Sequence, residues 1–378
     1  MQDKKRLRIA MFGHKRIPSR EGGVEVVVEE LATRMAKEGH RVTCYNRGGH
    51  HVSGAEFDTQ DQSECKGVKI KTVPTIEKKG LAAVSASFFA AICSAFGRYD
   101  VVHIHAEGPA SFCWLPRLMR KKVIVTVHGL DWQREKWKGG FASKYIHFGE
   151  RMAVKWADEM IVLSGEVQKY FKDSYNRNTV FIPNGVTCPE KKKADLISRQ
   201  FGLQKNSYIL YLGRIVPEKG EHYLIQAFKQ LDTDKKLVIA GGASDTDDYM
   251  KQLKELASDD DRIIFTGFVQ GEQLQELYSN AYVYVLPSDL EGMPLSLLEA
   301  MSFGNCCLTS DIPECTEVIG HHGFSFKKGN VEDLKEKLQQ LCKQESTVHD
   351  YQEKASDYIC RKYDWDVIVQ KTLMLYQQ

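Results

Sequence analysis

Short apolar runs alternate with helical segments along the first half of the chain. A strand is predicted at 7–12, and Val27, Leu31 and Met35 then recur at the spacing of an amphipathic helix that Gly39 ends. Further apolar runs predict strands at 42–45, 101–105, 123–128 and 160–163. Strands that alternate with helices predict a parallel, doubly wound sheet.

The same alternation starts again in the second half. Apolar runs predict strands at 208–212, 237–240, 263–266, 282–286 and 306–309, each followed by a turn and usually by a helix. The predicted fold class is therefore α/β, with two Rossmann-like doubly wound domains facing a central cleft. We expect an N-terminal domain at 1–190, a C-terminal domain at 191–363, and a last helix at 364–378 that packs back toward the first domain.

One long segment, residues 81–96, carries no charged side chain. It is too short to span a bilayer and is rich in Ala and Ser. A helix buried against the sheet is predicted, and a helix lying in a membrane interface is the alternative.

The composition is ordinary for a soluble protein, with 42% hydrophobic and 27% charged residues and a net charge of +2. Residues 1–190 hold 30 basic and 21 acidic side chains, whereas the remainder is acidic overall. The basic half indicates an anionic partner or an anionic membrane surface, and scattered basic residues are the alternative. No block of Lys and Arg with interleaved aromatic residues is present, so nucleic acid is not an expected partner.

The ten cysteines include no C-x-x-C pair, and most of them lie in apolar runs. Reduced thiols pack there as small hydrophobic groups. The basic, polar start of the chain passes directly into a strand, so no secretory signal is expected. We expect the protein in the cytoplasm. A second expectation is peripheral contact with the cytoplasmic face of the plasma membrane.

A motif at 291–299, EGMPLSLLE, follows a predicted strand and opens a predicted helix. Its two glutamates would lie about 12 Å apart along a helix, too far to share one proton or one metal ion. They could instead hold the two ends of an elongated ligand, while the helix start suits a diphosphate. The expected donor-binding residues here are Gly292, Met293, Pro294 and Leu295. The alternative is one glutamate complementing the helix dipole and another on a solvated face.

A second motif at 213–220, GRIVPEKG, lies between a predicted strand and a predicted helix. Arg214 offers a rigid fork of hydrogen-bond donors to a phosphate, and Lys219 offers a mobile point charge. Together they could neutralise a leaving diphosphate, although a surface turn with two ordinary charges is the alternative.

The pairing of G-R-x4-K-G with E-x7-E resembles the family 4 retaining glycosyltransferases of the GT-B fold, and the resemblance covers essentially the whole chain. It implies that Arg214 and Lys219 bind the donor phosphates and take part in catalysis. It also implies that Glu291 approaches the donor sugar as a catalytic residue and that Glu299 binds the ribose. No obligatory cofactor or metal ion is expected, because the basic pair already supplies the positive charge.

The resemblance implies further site residues in both domains. Gly267, Phe268 and Val269 resemble the loop that binds the nucleotide base. Gly22 and Gly23 resemble the glycine-rich loop of the donor site. His128, at the end of a predicted strand, resembles a catalytic histidine near the reacting sugar.

The runs at 22–25 and 128–137 resemble bacterial polysaccharide-assembly enzymes, including rhamnosyltransferases that act on undecaprenyl-diphosphate-linked saccharides. This implies acceptor-binding residues, for which the candidates are His105, Asp131, Trp132 and Trp137. Tryptophan suits both sugar stacking and a membrane interface. The alternative is a packed loop with solvated charges.

The resulting hypothesis is an enzyme that moves a sugar from a nucleotide-diphosphate sugar to a saccharide acceptor on a lipid diphosphate, with retention of anomeric configuration. The first donor suggested by the resemblance is dTDP-rhamnose, and UDP- and GDP-sugars remain open. Alternatives of other classes are a nucleotide-sugar epimerase, a non-catalytic nucleotide-sugar-binding module and a peripheral membrane scaffold. The linkage and the oligomeric state are left open by the sequence.

Overall fold

The computed structural model describes residues 6–49, 62–78, 80–133, 140–242 and 247–378. The chain divides into two compact units, one formed by Met1–Asn184 with Trp365–Gln378 and the other by Gly185–Asp364. These bounds differ by a few residues from the divisions predicted from the sequence, which lie at 190 and 363.

The strands are β1 (Arg8–Phe12), β2 (Arg41–Arg47), β3 (Glu64–Cys65), β4 (Val68–Val73), β5 (Val101–His105), β6 (Lys122–Val127), β7 (Glu159–Val162), β8 (Val180–Phe181), β9 (Tyr208–Leu212), β10 (Lys236–Ala240), β11 (Ile263–Gly267), β12 (Val283–Leu286), β13 (Cys306–Ser310) and β14 (Phe324–Phe326). The helices are α1 (Gly23–Lys37), α2 (Leu81–Phe96), α3 (Trp114–Leu118), α4 (Gly140–Trp156), α5 (Gly165–Tyr175), α6 (Leu196–Phe201), α7 (Glu221–Phe228), α8 (Asp247–Leu256), α9 (Gly271–Asn280), α10 (Leu295–Ser302), α11 (Pro313–Ile319), α12 (Val331–Lys343), α13 (Glu345–Lys362) and α14 (Trp365–Gln377).

The first unit is built on one sheet in the order β3-β4-β2-β1-β5-β6-β7-β8. All neighbouring strands are parallel except β3, which pairs antiparallel with β4. The strand order reverses between β1 and β5, as in doubly wound folds. The central strand β5 is buried at every position, which explains its continuous apolar character.

The second unit contains a fully parallel sheet in the order β11-β10-β9-β12-β13-β14. The order reverses between β9 and β12, and ligands of open α/β sheets bind at the carboxyl ends of strands beside such a reversal. Both sheets confirm the predicted α/β class with two Rossmann-like units.

Helix α2 has the bounds that its uncharged run predicts, but only part of its surface is buried. Its small residues, such as Ala90 and Ser94, are buried, whereas Phe88 and Phe96 are 41% and 68% exposed. The predicted helix packed against the sheet is therefore confirmed, since α2 contacts β1, β2 and β4 through its small residues while its opposite face stays exposed.

The last helix, α14, belongs to the first unit. It packs against α1, and Asp366 accepts a hydrogen bond from Arg34 at 2.8 Å. Near its end, the Tyr376 hydroxyl lies 2.5 Å from His103 Nδ1. The last helix therefore packs on the first unit, as the sequence predicts, although it follows the second sheet along the chain.

Cys188 and Cys360 form a disulfide, with Cα atoms 5.9 Å apart, whereas the sequence predicts a reducing setting and packed thiols at most of the cysteines. The two segments run side by side because the Val186 N–H donates to the Tyr363 carbonyl at 2.7 Å. The sequence carries no sign of this pair, because 172 residues separate its members. Within the described ranges, no helix has both the length and the apolar character needed to cross a membrane.

Candidate active site

A buried ion pair between Lys219 and Glu291 lies in the second unit. Lys219 ends a short 3-10 turn after β9, and Glu291 lies between β12 and α10. Lys219 Nζ is 2.6 Å from Glu291 Oε1, and the side chains are only 14% and 7% exposed. The Ser288 hydroxyl donates to the same carboxylate oxygen at 2.7 Å. Burying two charges costs solvation free energy, and their mutual attraction offsets this cost only if the geometry is good and further hydrogen bonds are formed.

Hydrogen bonds hold the segment of Lys219 and the segment of Glu291 together. The Asp289 N–H donates to the Glu218 carbonyl at 2.8 Å, and the Tyr223 hydroxyl donates to Asp289 Oδ2 at 3.1 Å. Gly220 has a φ of +73°, and a side chain at this position would overlap the carbonyl oxygen of Pro287. Glycine is therefore required both for the left-handed backbone and for the close approach.

Helix α10 begins at Leu295, so Glu291 lies in the preceding loop and not within the helix. The helical separation expected between Glu291 and Glu299 is therefore wrong. Pro294 precedes the helix without a side-chain cap, and the first turn carries no acidic residue that would compete with an anion. Glu299 lies within α10, where the Tyr278 hydroxyl approaches its Oε2 at 3.3 Å.

The other predicted donor residues lie at the same edge of the sheet. Arg214 follows β9, and its loop is held against the next strand because the Gly213 N–H donates to the Ala240 carbonyl at 3.0 Å. Gly267 ends β11 and has a φ of +73°, with Phe268 and Val269 directly after it. Because the sheet is parallel, the residues after β9, β11 and β12 all lie at one edge.

In the first unit, His128 follows β6 and contacts a stack of buried imidazoles. His105 Nδ1 lies 3.0 Å from His128 Nε2, and the His103 ring centroid is 4.1 Å from that of His105. Burial lowers the pKa of His103 to about 3 and that of His105 well below its usual value. Both rings are therefore neutral at physiological pH, and His105 lies fully buried beside His128.

The remaining candidates of the first unit occupy two turns. Gly22 precedes α1 in an extended conformation, and Gly23 is its first residue. Asp131 and Trp132 lie in a 3-10 turn after β6, where the Asp131 N–H donates to Glu107 Oε2 at 3.0 Å. Trp137 lies outside the described residues.

Two family models match the chain. One, described as glycosyl transferases group 1, matches residues 193–358, and another, described as Glycosyltransferase Family 4, matches residues 21–188. The chain belongs to the family 4 glycosyltransferases of the GT-B fold. This confirms the family resemblance of the two motifs.

Proteins similar to this glycosyltransferase support the family assignment. An uncharacterized glycosyltransferase of Methanocaldococcus jannaschii, MJ1607, is 25% identical and is matched over 98% of each chain. The Escherichia coli enzyme named UDP-Gal:alpha-D-GlcNAc-diphosphoundecaprenol alpha-1,3-galactosyltransferase is 29% identical over 57% of this chain and 58% of its own length. The structure of Anabaena Alr3699/HepE in complex with UDP and glucose superposes with a TM-score of 0.81 at 17% identity, covering 98% of this chain and 99% of the other.

Several contacts of the glycosyltransferase's candidate site are not predicted by the sequence. Ser288, which supports Glu291, could have been noticed from its position three residues earlier at a strand end. Nothing in the sequence around Tyr278 or Tyr223 predicts their contacts, because each tyrosine reaches its carboxylate from a helix that is distant in sequence. Among the described residues, no group of three or more His, Cys, Asp or Glu is placed to hold a metal ion.

Gly220→Ala should weaken binding of nucleotide sugars much more than Gly271→Ala. Both glycines have positive φ, so both variants bear a similar backbone strain of about 1 kcal/mol. Only at Gly220 does the new methyl group meet another segment, whereas the space around Gly271 is open. Titration calorimetry with UDP-, GDP- and dTDP-sugars checks this, and equal affinity in the two variants would contradict it.

Proposed function

We propose that this glycosyltransferase moves a sugar from a nucleotide-diphosphate sugar to a saccharide carried on a lipid diphosphate, with retention of anomeric configuration, in cell-surface polysaccharide synthesis. The observation that carries the proposal is the buried Lys219–Glu291 pair at the strand edge beside the start of α10. As first donor we propose dTDP-rhamnose, with UDP- and GDP-sugars as alternatives.

The charges of the second unit suit a diphosphate. Residues 191–378 are acidic overall, so an anionic donor requires local positive groups. Arg214 and Lys219 both follow β9, and the N-terminus of α10 adds backbone N–H groups and the positive end of its dipole. We infer that a bound donor places its diphosphate on these groups.

The Lys219–Glu291 contact also indicates how the donor sugar would be held. A carboxylate can accept several hydrogen bonds, and Glu291 accepts those from Lys219 and Ser288 on one oxygen, Oε1. Its second oxygen suits sugar hydroxyls. The donor would then lie with its phosphate near Lys219 and its sugar near Glu291.

The same contacts favour same-face substitution over a covalent intermediate. Glu291 is held by an ammonium and a hydroxyl, which stabilise its charge and reduce its strength as a nucleophile. The leaving diphosphate would instead help to deprotonate the acceptor, while Arg214, Lys219 and the helix start stabilise the charge that develops on it.

Lys219→Ala should lower kcat by about a hundredfold or more, because one preorganised group that stabilises transition-state charge is lost. Arg214→Ala should act in the same direction. Lys251→Ala, which removes an exposed lysine of α8, serves as the control and should leave turnover unchanged. Turnover is measured with saturating donor, and near-full activity of Lys219→Ala would exclude this role.

The product should keep the anomeric configuration of the donor. NMR of the purified glycoside measures the one-bond carbon–proton coupling constant at its anomeric centre, which distinguishes the two anomers for rhamnose as well as for other sugars. An inverted centre would remove the same-face mechanism but leave the donor site intact. Turnover of donor without acceptor would instead favour the epimerase alternative.

An apolar and basic surface of the first unit supports membrane contact. Phe96 and Leu118 are 68% and 57% exposed, and each lies at the end of its helix, α2 or α3. Lys121 Nζ donates to the Gly97 carbonyl at 2.9 Å, which brings these two helix ends together. Arg98 and Arg120 are exposed beside them. Apolar side chains flanked by cations suit an anionic lipid surface, where a lipid-linked acceptor would reside.

The wild type should therefore float with vesicles containing phosphatidylglycerol and remain unbound to pure phosphatidylcholine. The double variant Phe96→Ser with Leu118→Ser should lose more than about tenfold in affinity, since each side chain would bury apolar surface in the bilayer. Met374→Ser, which changes another exposed apolar residue of the first unit, is the control. Equal flotation of all three proteins would contradict the membrane contact.

A further inference from the structure

A buried carboxyl group lies directly behind the proposed phosphate-binding turn. Glu221 is the first residue of α7, follows the turn of Lys219 and Gly220, and is completely buried. The Tyr211 hydroxyl lies 2.7 Å from its Oε1, and the Tyr249 hydroxyl lies 3.1 Å from its Oε2. Neither the family models nor the motifs assign this group a role.

Tyr211 connects Glu221 to the Arg214 segment. Its hydroxyl is also 3.0 Å from the Arg214 carbonyl oxygen, so one phenol lies within hydrogen-bond distance of both groups. A phenol carries a single proton, which it can donate to only one acceptor at a time. The protonation state of Glu221 therefore decides which acceptor receives it.

Two arrangements fit these distances. When Glu221 is ionised, Tyr211 donates to the carboxylate, because a charged acceptor forms the stronger bond. When Glu221 is protonated, its O–H can donate to the Tyr211 oxygen, and Tyr211 then donates to the Arg214 carbonyl. Only the second arrangement links the carboxyl group to the turn that carries Arg214.

We propose that Glu221 is a positioning residue, which acts through the Tyr211 hydroxyl on the Arg214 segment and couples donor binding to the uptake of one proton. This inference rests on the proposed donor site and deepens it. A bound diphosphate adds negative charge near Glu221 and so favours its neutral form. By linkage, the neutral form then favours the diphosphate.

The surroundings of Glu221 place its titration close to physiological pH. Burial raises its pKa to about 7, against the hydrogen bonds from Tyr211 and Tyr249 and the positive charge of Lys219, which lower it. On the α8 side, Tyr249 lies 2.8 Å from His222 Nδ1, and burial lowers the pKa of His222. Glu291 also acts on Tyr211, whose own pKa is raised well above its usual value, mainly by burial. Tyr284 of β12 likewise acts on Tyr211, Asp289 acts on His222, and Tyr223 acts on Tyr249, so these groups also face the network.

Donor affinity should consequently fall as the pH rises through neutrality, by at least about fivefold. The probes are UDP-, GDP- and dTDP-sugars, whose diphosphate is a diester and does not itself titrate in this range. Titration calorimetry in two buffers of different ionisation enthalpy measures both the affinity and the protons taken up. The KM for donor should rise with pH more than kcat falls.

Glu221→Gln should abolish this pH dependence and keep the affinity that the wild type has at low pH, because an amide can donate to the Tyr211 oxygen without titrating. Tyr211→Phe should bind donor weakly at every pH. Tyr249→Phe removes one donor to the carboxylate, so the transition should move to higher pH.

Matched controls exist in the same unit. Tyr208 is another buried tyrosine of β9, whose hydroxyl donates to the Leu277 carbonyl at 2.7 Å, and Glu276 is another buried glutamate, which accepts from the Asp195 N–H at 2.9 Å. Tyr208→Phe and Glu276→Gln should keep the wild-type pH profile of donor binding.

Stability provides a readout that needs no donor. The folded-state pKa of Glu221 exceeds its unfolded value of 4.5, so the folded protein binds more protons between 4.5 and about 7. The wild type should therefore lose thermal stability relative to Glu221→Gln as the pH rises through this window. A constant difference in melting temperature would overturn the assigned titration.

The outcomes separate the two proposals. If no nucleotide sugar binds the wild type, or if Arg214→Ala binds donor as tightly, the proposed function fails and this inference fails with it. If Arg214→Ala weakens binding but Glu221→Gln keeps the wild-type pH dependence, the donor site stands and the role of Glu221 is overturned.

Discussion

The parallel pairing of the strands in the second unit is the constraint on which the candidate site depends. In a parallel sheet all carboxyl ends lie at one edge, so the segments after β9, β11 and β12 share that edge although they are distant in sequence. The close approach of Gly220 to the Pro287 carbonyl then brings two of these segments into contact. Without that approach, the ammonium of Lys219 and the carboxylate of Glu291 would not form their buried pair.

The two units present different chemistry at their strand ends. The second unit offers charge, because Lys219 and Glu291 form a mostly buried ion pair whose carboxylate also accepts a hydrogen bond from Ser288. The first unit offers mainly neutral groups, because burial keeps His103 and His105 unprotonated. Burial also raises the pKa of Glu107 beside Asp131. Charged groups suit an anionic donor, and neutral polar groups suit the hydroxyls of a saccharide acceptor, as the proposed function requires.

Buried hydroxyl groups connect the site to the core of the second unit. Tyr211, Tyr223 and Tyr278 each direct a phenol toward a carboxylate near the strand edge, from β9, α7 and α9 respectively. Tyr211 and Tyr278 each bury a large apolar ring while placing one polar atom at the site, and the ring of Tyr223 is partly buried. Packing of the core and positioning of the site are therefore achieved by the same side chains.

Local sequence determined the fold class and most of the secondary structure. The bounds of β5, β9 and α2 follow directly from uninterrupted apolar runs, because strands of a doubly wound sheet are buried on both faces. The motifs also predicted Arg214, Lys219 and Glu291 as site residues, and the structure brings Lys219 and Glu291 into contact. Short edge strands such as β8 and β14 were missed because they carry too few apolar residues to form a pattern.

Tertiary structure alone decided which partners these residues have. The disulfide of Cys188, the contact of Ser288 with Glu291 and the burial of Glu221 behind the turn of Lys219 all depend on how segments pack in three dimensions. The position of α14 on the first unit likewise follows from contacts with residues more than three hundred positions away. Local periodicity reports burial along one element, but it holds no information about which distant element supplies the other side of a contact.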